Sequence, residues 1–229
     1  MTTFDPALLD GLFPEDVHVA ARALDPAQEV GFRFPEEAAH VAGAVAKRRV
    51  EFATGRELVH ELLDGLGVPA APLLVDGRRA PIWPAGVRGA ISHTYPKPGP
   101  DSTVPGLCAA AVSTTRAHLG LDVEATAPLD RKLWPSVLTI SERARLEGLG
   151  GRGALLSKIH FSGKEAVYKA ISARVGRVVG FEEVELGVSL ARGTFEVTPM
   201  LKDGAALPRL HGRWRVTRDF IATSVVADE

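Results

Sequence analysis

Hydrophobic positions along this chain switch between a spacing of two and a spacing of three to four, and the switches outline its elements. Residues 5–12 suit a short helix, and the following DVHVAARAL alternates as a half-buried strand does. From Phe34 onward, Val41, Val45, Phe52, Val59 and Leu63 supply the apolar positions of a long helical region. Pro35, Glu36 and Glu37 suit its first turn, and Gly65 and Gly67 its exit. Gly43 and Gly55 argue against one unbroken helix. LLVDGRRAPIW then reads as a hairpin around Asp76 and Gly77. GVRGAISHT and GLCAAAVST read as strands, and the proline-rich YPKPGPDSTVPG between them as a loop that sustains neither ladder nor helix.

A second round follows. AHLGLDVEA is a strand candidate, the stretch from Pro128 is mostly helical, and SERARLEGLGGRG gives a helix with a glycine exit. A further helix is expected over 154–175. GFEEVELGV, GTFEVTP, GRWRVTRDF and IATSVVA close the chain as antiparallel strands. Helix then strands, twice over, predicts two α+β halves packed together, residues 1–115 and 116–229, with the break near residues 114–117. A cleft between the halves is the default binding site.

Composition narrows the function. The 229 residues carry 27 basic and 28 acidic side chains, so bulk binding of nucleic acid is not expected and any anion site must be local. The single cysteine, Cys108, rules out an intramolecular disulfide and a cysteine-based zinc cluster, and reads as an inert strand residue. The N-terminal residues have no basic n-region followed by an apolar run, and no stretch reaches the ~20 apolar residues of a membrane span. A cytoplasmic protein without membrane contact is expected.

In GLDVEAT, strand alternation turns Asp122 and Glu124 to one face, about 7 Å apart, where they repel unless something positive lies between them. For an isolated pair of this kind a solvated edge is the commoner explanation. In FSGKEAVYKA, Glu165 sits four residues before Lys169 and directly after Lys164. These make either an exposed ion pair or, with Asp122 and Glu124, an oxygen-only cage of the kind that suits Mg²⁺. Lys169 would then stand one turn along, placed for a phosphate oxygen. Lys47, Arg48, Arg49 and Arg56, and the pair Arg78 and Arg79, each fit a phosphate site or a solvated face, and His93 at a strand end fits a functional or a structural histidine. No P-loop, HExxH or GxSxG pattern occurs.

GVRGAISHT, LGLDVEA and FSGKEAVYK, in that order and spacing, resemble the 4′-phosphopantetheinyl transferases of the Sfp-type branch, which includes siderophore-synthase-activating enzymes and mycobacterial relatives. AKRRVEF, APIWP and GRWRV extend the likeness from about Val41 to the end. The resemblance implies a pseudo-dimer of two similar α+β halves within one chain. It also implies transfer of the 4′-phosphopantetheine arm of coenzyme A to a serine of apo acyl, polyketide or peptidyl carrier proteins, releasing 3′,5′-ADP. Asp122, Glu124 and Glu165 would hold Mg²⁺, with Mn²⁺ as a substitute, and Glu165 and Lys169 would be catalytic. Arg48, Arg56, Arg78 and His93 would face coenzyme A, with Ser92 beside His93 and with Lys164 and Lys169 at its phosphates. A monomer is expected.

Two other readings share these carboxylates: a different Mg²⁺-dependent nucleotide phosphoryl transferase or phosphodiesterase, and a non-catalytic module that binds coenzyme A or a carrier. For a carrier, whose modified serine lies beside an acidic helix, LDRKLWPSVLTI offers Arg131 and Lys132 next to Leu133, Trp134 and Val137 as a docking element.

Overall fold

Strand β3 (Gly106–Ser113) has all eight residues buried, because both of its faces are covered. It pairs antiparallel with β1 (His18–Leu24) on one side and β2 (Arg88–Thr94) on the other. On one face Cys108, Ala110 and Val112 pack against Val50, Leu58, Val59 and Leu63 of helix α2 (Ala46–Gly65). On the opposite face Ala109 and Ala111 meet Leu121, Val123 and Phe220 of a second sheet, together with Leu8 and Leu12 from the N-terminal segment. The small side chains at 109–111 let these layers approach closely. The computed structural model describes residues 4–96 and 104–227, so most of the loop YPKPGPDSTVPG lies outside the described residues.

Local sequence explains where the expected elements changed. The long helical region is two helices, α1 (Pro35–Ala39) and α2, interrupted around Gly43. Gly55 stays inside α2 because a Cβ there would stand 2.8 Å from Ile91 Cγ2. Its poor helix propensity is offset by the close packing it permits. The expected hairpin at Asp76 is only a turn with a single bridge, Val75 to Pro81. Asp76 Oδ1 accepts from the backbone N–H of Arg78 and Ala80, and Pro72, Pro81 and Pro84 deprive any ladder of donors. The opening helix is one short 3₁₀ turn, Pro6–Leu8.

The second sheet runs in the order β4 (Leu119–Ala125), β8 (Phe220–Ala227), β7 (Leu210–Val216), β6 (Thr194–Pro199) and β5 (Val184–Ser189), antiparallel throughout. Two short helices, α3 (Trp134–Val137) and α4 (Ile140–Glu147), precede helix α5 (Gly151–Val175), which lies across β4 and β8. At their closest approach only glycine fits, since a Cβ on Gly120 would stand 1.9 Å from Ala166 O. The architecture is therefore α+β, with one long helix on each antiparallel sheet. The sheets meet where β2 lies beside β4. In the connection before β4, Arg116 grips Asp16 with Nε 2.6 Å from Oδ2 and Nη2 2.9 Å from Oδ1. That grip holds the Asp16 carboxyl down at about 2.

Candidate active site

Alternation along β4 buries Leu121 and Val123 between the sheets and turns Gly120, Asp122 and Glu124 toward α5. Lys158, Glu165 and Lys169 recur on α5 at intervals of seven and four, so they share the side of the helix that meets this face. Lys169 Nζ lies 2.8 Å from Asp122 Oδ1 and 3.0 Å from Leu121 O. Lys158 Nζ lies 2.8 Å from Glu124 Oε2, and 5.0 Å from the centre of the Phe161 ring. From the neighbouring sheet, Ser92 Oγ on β2 donates to Asp122 Oδ1 at 2.7 Å. The site is thus assembled across the junction of the two sheets.

Two of these carboxyl groups, Glu165 and Glu124, hold a proton more tightly than usual. Burial pushes the Glu165 carboxyl up, and the negative charges of Asp122 and Glu124 push it further, against the pull of Lys169. Burial and Asp122 likewise push Glu124 up, opposed by Lys158. Asp122 is 4% exposed, and its second oxygen, Oδ2, is buried without a hydrogen-bond partner among the described residues. An all-oxygen donor set with an unsatisfied buried oxygen fits a hard divalent cation. The cage expected from the sequence is not closed as the side chains stand. Among the described residues no three acidic, histidine or cysteine side chains are gathered at metal-binding spacing, and two of the carboxylates are engaged by lysines.

A second group adjoins the first. Arg48 Nη1 lies 2.9 Å from His93 Nε2 and 3.2 Å from Glu51 Oε2. Arginine only donates, so His93 accepts at Nε2 and is neutral in this arrangement. Burial pushes the imidazole down in the same sense, and it also feels the charges of Lys169 and Asp122. Arg56 is buried, with Nε donating to Leu73 O at 3.2 Å and its guanidinium 3.9 Å over the Phe52 ring. Burial pushes it down to about 10, which leaves it cationic at neutral pH. Its Nη2 has no partner among the described residues. Arg78 is exposed on the turn after Asp76, and the structure does not join its side chain to the group.

Lys164 departs from the expected phosphate contact. It is 2% exposed, and Nζ donates to Val137 O, Glu142 Oε2 and Phe181 O at 2.9, 2.7 and 2.9 Å. All three ammonium donors are used, so the nitrogen anchors α5 while its stem lines a cavity of about 390 Å³. Glu165, Tyr168, Ser136 and Phe181 line the same cavity, so Glu165 is the member of the carboxyl cluster that reaches it. Glu142, Glu51 and Lys158 were not singled out by sequence. Lys158 had a usable signal, seven residues before Glu165 on one helix face, whereas the two glutamates are marked only by burial.

Residues 36–97 match the family model described as the 4′-phosphopantetheinyl transferase N-terminal domain, and residues 118–217 match that of the 4′-phosphopantetheinyl transferase superfamily. The chain is 37% identical over 206 residues to the 4′-phosphopantetheinyl transferase Svp of Streptomyces mobaraensis, covering 87% of this chain and 80% of the relative. This chain is a 4′-phosphopantetheinyl transferase. The transferase PptT of Mycobacterium tuberculosis is 34% identical over 203 residues, 84% of this chain and 85% of that one. Enterobactin synthase component D of Salmonella typhi is 33% identical over 144 residues, 61% of this chain and 55% of the relative. In this transferase, Arg48, Arg56, Arg78, Ser92 and His93 fall in the first matched region, and Asp122, Glu124, Lys158, Glu165 and Lys169 in the second. No helix among the described residues is long and apolar enough to cross a membrane.

Proposed function

We propose that this phosphopantetheinyl transferase moves the arm of coenzyme A onto a serine of apo carrier proteins, with Mg²⁺ held by Asp122, Glu124 and Glu165. The observation that carries this reading is the Asp122 carboxyl. Ser92 and Lys169 fix one of its oxygens, and the other is buried and free to accept. Mg²⁺ or Mn²⁺ at that oxygen would neutralise the charge of a pyrophosphate during transfer. The serine oxygen forms a bond to the β-phosphorus of coenzyme A, and the bond from that phosphorus to the bridging oxygen breaks, releasing 3′,5′-ADP. The serine proton passes to the Glu165 carboxylate, directly or through a water, and the raised proton affinity of Glu165 suits it to receive a proton. Lys169 stabilises the departing phosphate. The cavity beside Glu165 suits the pantetheine arm, with Lys164 as the anchor of its wall. We take residues 1–115 and 116–229 as the two halves of a monomeric, cytoplasmic enzyme that needs neither nucleic acid nor membrane. The test is mass spectrometry of an apo carrier incubated with coenzyme A, Mg²⁺ and the protein. A gain of one phosphopantetheine is expected, and an unchanged carrier mass refutes the reading.

Arg48, Arg56 and His93 serve the adenosine end, which changes little during reaction. Replacing Arg48 or His93 with alanine should therefore raise KM for coenzyme A about tenfold, with a smaller change in kcat. Steady-state kinetics with 3′-dephospho-coenzyme A checks the assignment, because equal KM values for the two forms in the wild type would remove the 3′-phosphate from this group.

The carrier surface follows from the segment after β4. Trp134 is core, at 3% exposure, and Arg131 stacks over its ring at 4.5 Å. The apolar part of a docking face must then come from Leu133 and Ile140, which are 49% and 79% exposed. Charge reversal at Arg131 and Lys132 should raise KM for the carrier several-fold and leave KM for coenzyme A unchanged. Unmoved constants in both would place docking elsewhere.

A further inference from the structure

Lys158 converges on the site from a full two turns before Glu165, yet neither the transfer chemistry nor the fold requires a second ammonium there. Its side chain is 14% exposed, lies beside Phe161, and ends 2.8 Å from Glu124 Oε2. It therefore occupies a carboxylate that the proposed function assigns to the divalent ion. With Lys169 on Asp122, the two lysines leave the three carboxylates with one uncompensated negative charge. A divalent ion arriving alone would overshoot that charge and would have to displace an ammonium from Glu124. A pyrophosphate arriving with it supplies two negative charges and gives the displaced ammonium a new partner.

We propose that Lys158 is an exchangeable cation of the site: it holds Glu124 until substrate arrives, then moves to a pyrophosphate oxygen as the divalent ion takes Glu124. This inference rests on the metal reading given above. Its thermodynamic consequence is reciprocal coupling, in which coenzyme A tightens the ion and the ion tightens coenzyme A through one side chain. Lys158 thereby makes the empty enzyme a poor divalent-ion binder and the substrate-loaded enzyme a good one. The local geometry allows the exchange, because a lysine stem has four rotatable methylenes and Nζ has Glu124 as its ionic partner.

The experiment is a titration of the whole protein with Mn²⁺, followed by electron paramagnetic resonance of the free ion, with and without coenzyme A. Lys158→Met keeps the stem and removes the charge. It should bind Mn²⁺ alone on the order of tenfold more tightly than wild type, and coenzyme A should tighten the ion far less than it does in wild type. The transfer rate should fall, while Lys158→Arg should keep both the coupling and most of the rate. A side chain serving structure alone would lower the melting temperature and leave the affinity for Mn²⁺ where it was. If Lys158→Met proves unstable, Lys158→Gln is read in the same way. Unchanged Mn²⁺ affinity in the folded variant overturns the exchange and leaves the metal reading intact. Failure of the wild type to bind Mn²⁺ with coenzyme A present overturns both.

Discussion

Glu165→Gln is expected to lower kcat for transfer roughly 10²–10⁴-fold, the range lost with a general base. In barrier terms this is about 3–5 kcal/mol. Glutamine keeps the shape and volume of the side chain, so the packing of α5 on β4 is undisturbed. It cannot take the serine proton, and it is a weaker ligand than a carboxylate for a hard cation. Removing a like charge from beside Asp122 and Glu124 also relieves their mutual repulsion, so the variant should fold at least as stably as wild type. Binding of coenzyme A, measured by calorimetry, should survive, because the adenosine contacts are proposed to lie at Arg48, Arg56 and His93. Excess chelator should silence the wild type to a similar degree and be reversed by added Mg²⁺. A variant with a kcat near that of wild type would remove Glu165 from the reaction.

The second large effect is on stability. Glu142 is completely buried, yet its carboxylate takes the Lys164 ammonium at 2.7 Å, the backbone N–H of Thr139 at 2.8 Å and that of Leu186 at 2.7 Å. Glu142→Ala strands the lysine charge and two backbone donors in the interior. Breaking a buried pair in this way costs about 3–5 kcal/mol. Set against the ~5–15 kcal/mol that holds a typical domain together, the variant should lose a large part of its stability in a urea titration. Replacing both partners, with Glu142→Leu and Lys164→Met together, leaves no stranded charge and should recover much of the loss. Equal destabilisation by the single and double changes would show that the ion pair is not the cause.

Strand alternation made Asp122 and Glu124 legible as one face of β4, and helical spacing made Glu165 and Lys169 legible as neighbours on α5. Periodicity could place the strands and long helices because their apolar faces pack onto broad layers. It could not place what depends on a contact between distant segments. Gly55 looked like a helix breaker until Ile91 was found against it, and the Asp76 turn lost its ladder to prolines on both flanks. Lys164 illustrates the same limit for chemistry. A lysine beside Glu165 reads as a phosphate ligand by position, but neighbours on one helix point about 100° apart. That rotation sends Lys164 to Glu142 and leaves Glu165 facing the cluster.

The hydrogen bond from Ser92 to Asp122 joins a strand of one sheet to a strand of the other at the point where chemistry is expected. Activity therefore senses whether the two sheets remain in register. A slight parting at β2 and β4 would free Ser92 from Asp122 and leave that carboxylate oxygen held by Lys169 alone, while each sheet kept its own ladder and each helix its own core. Turnover would then be lost under conditions where circular dichroism still shows a folded protein. For the same reason neither half could work by itself, and a chain cut between Ser113 and Leu119 would regain function only as its fragments closed on one another. The proposed catalytic centre is in this sense a seam, and the strength of the seam would bound the range over which the enzyme can operate.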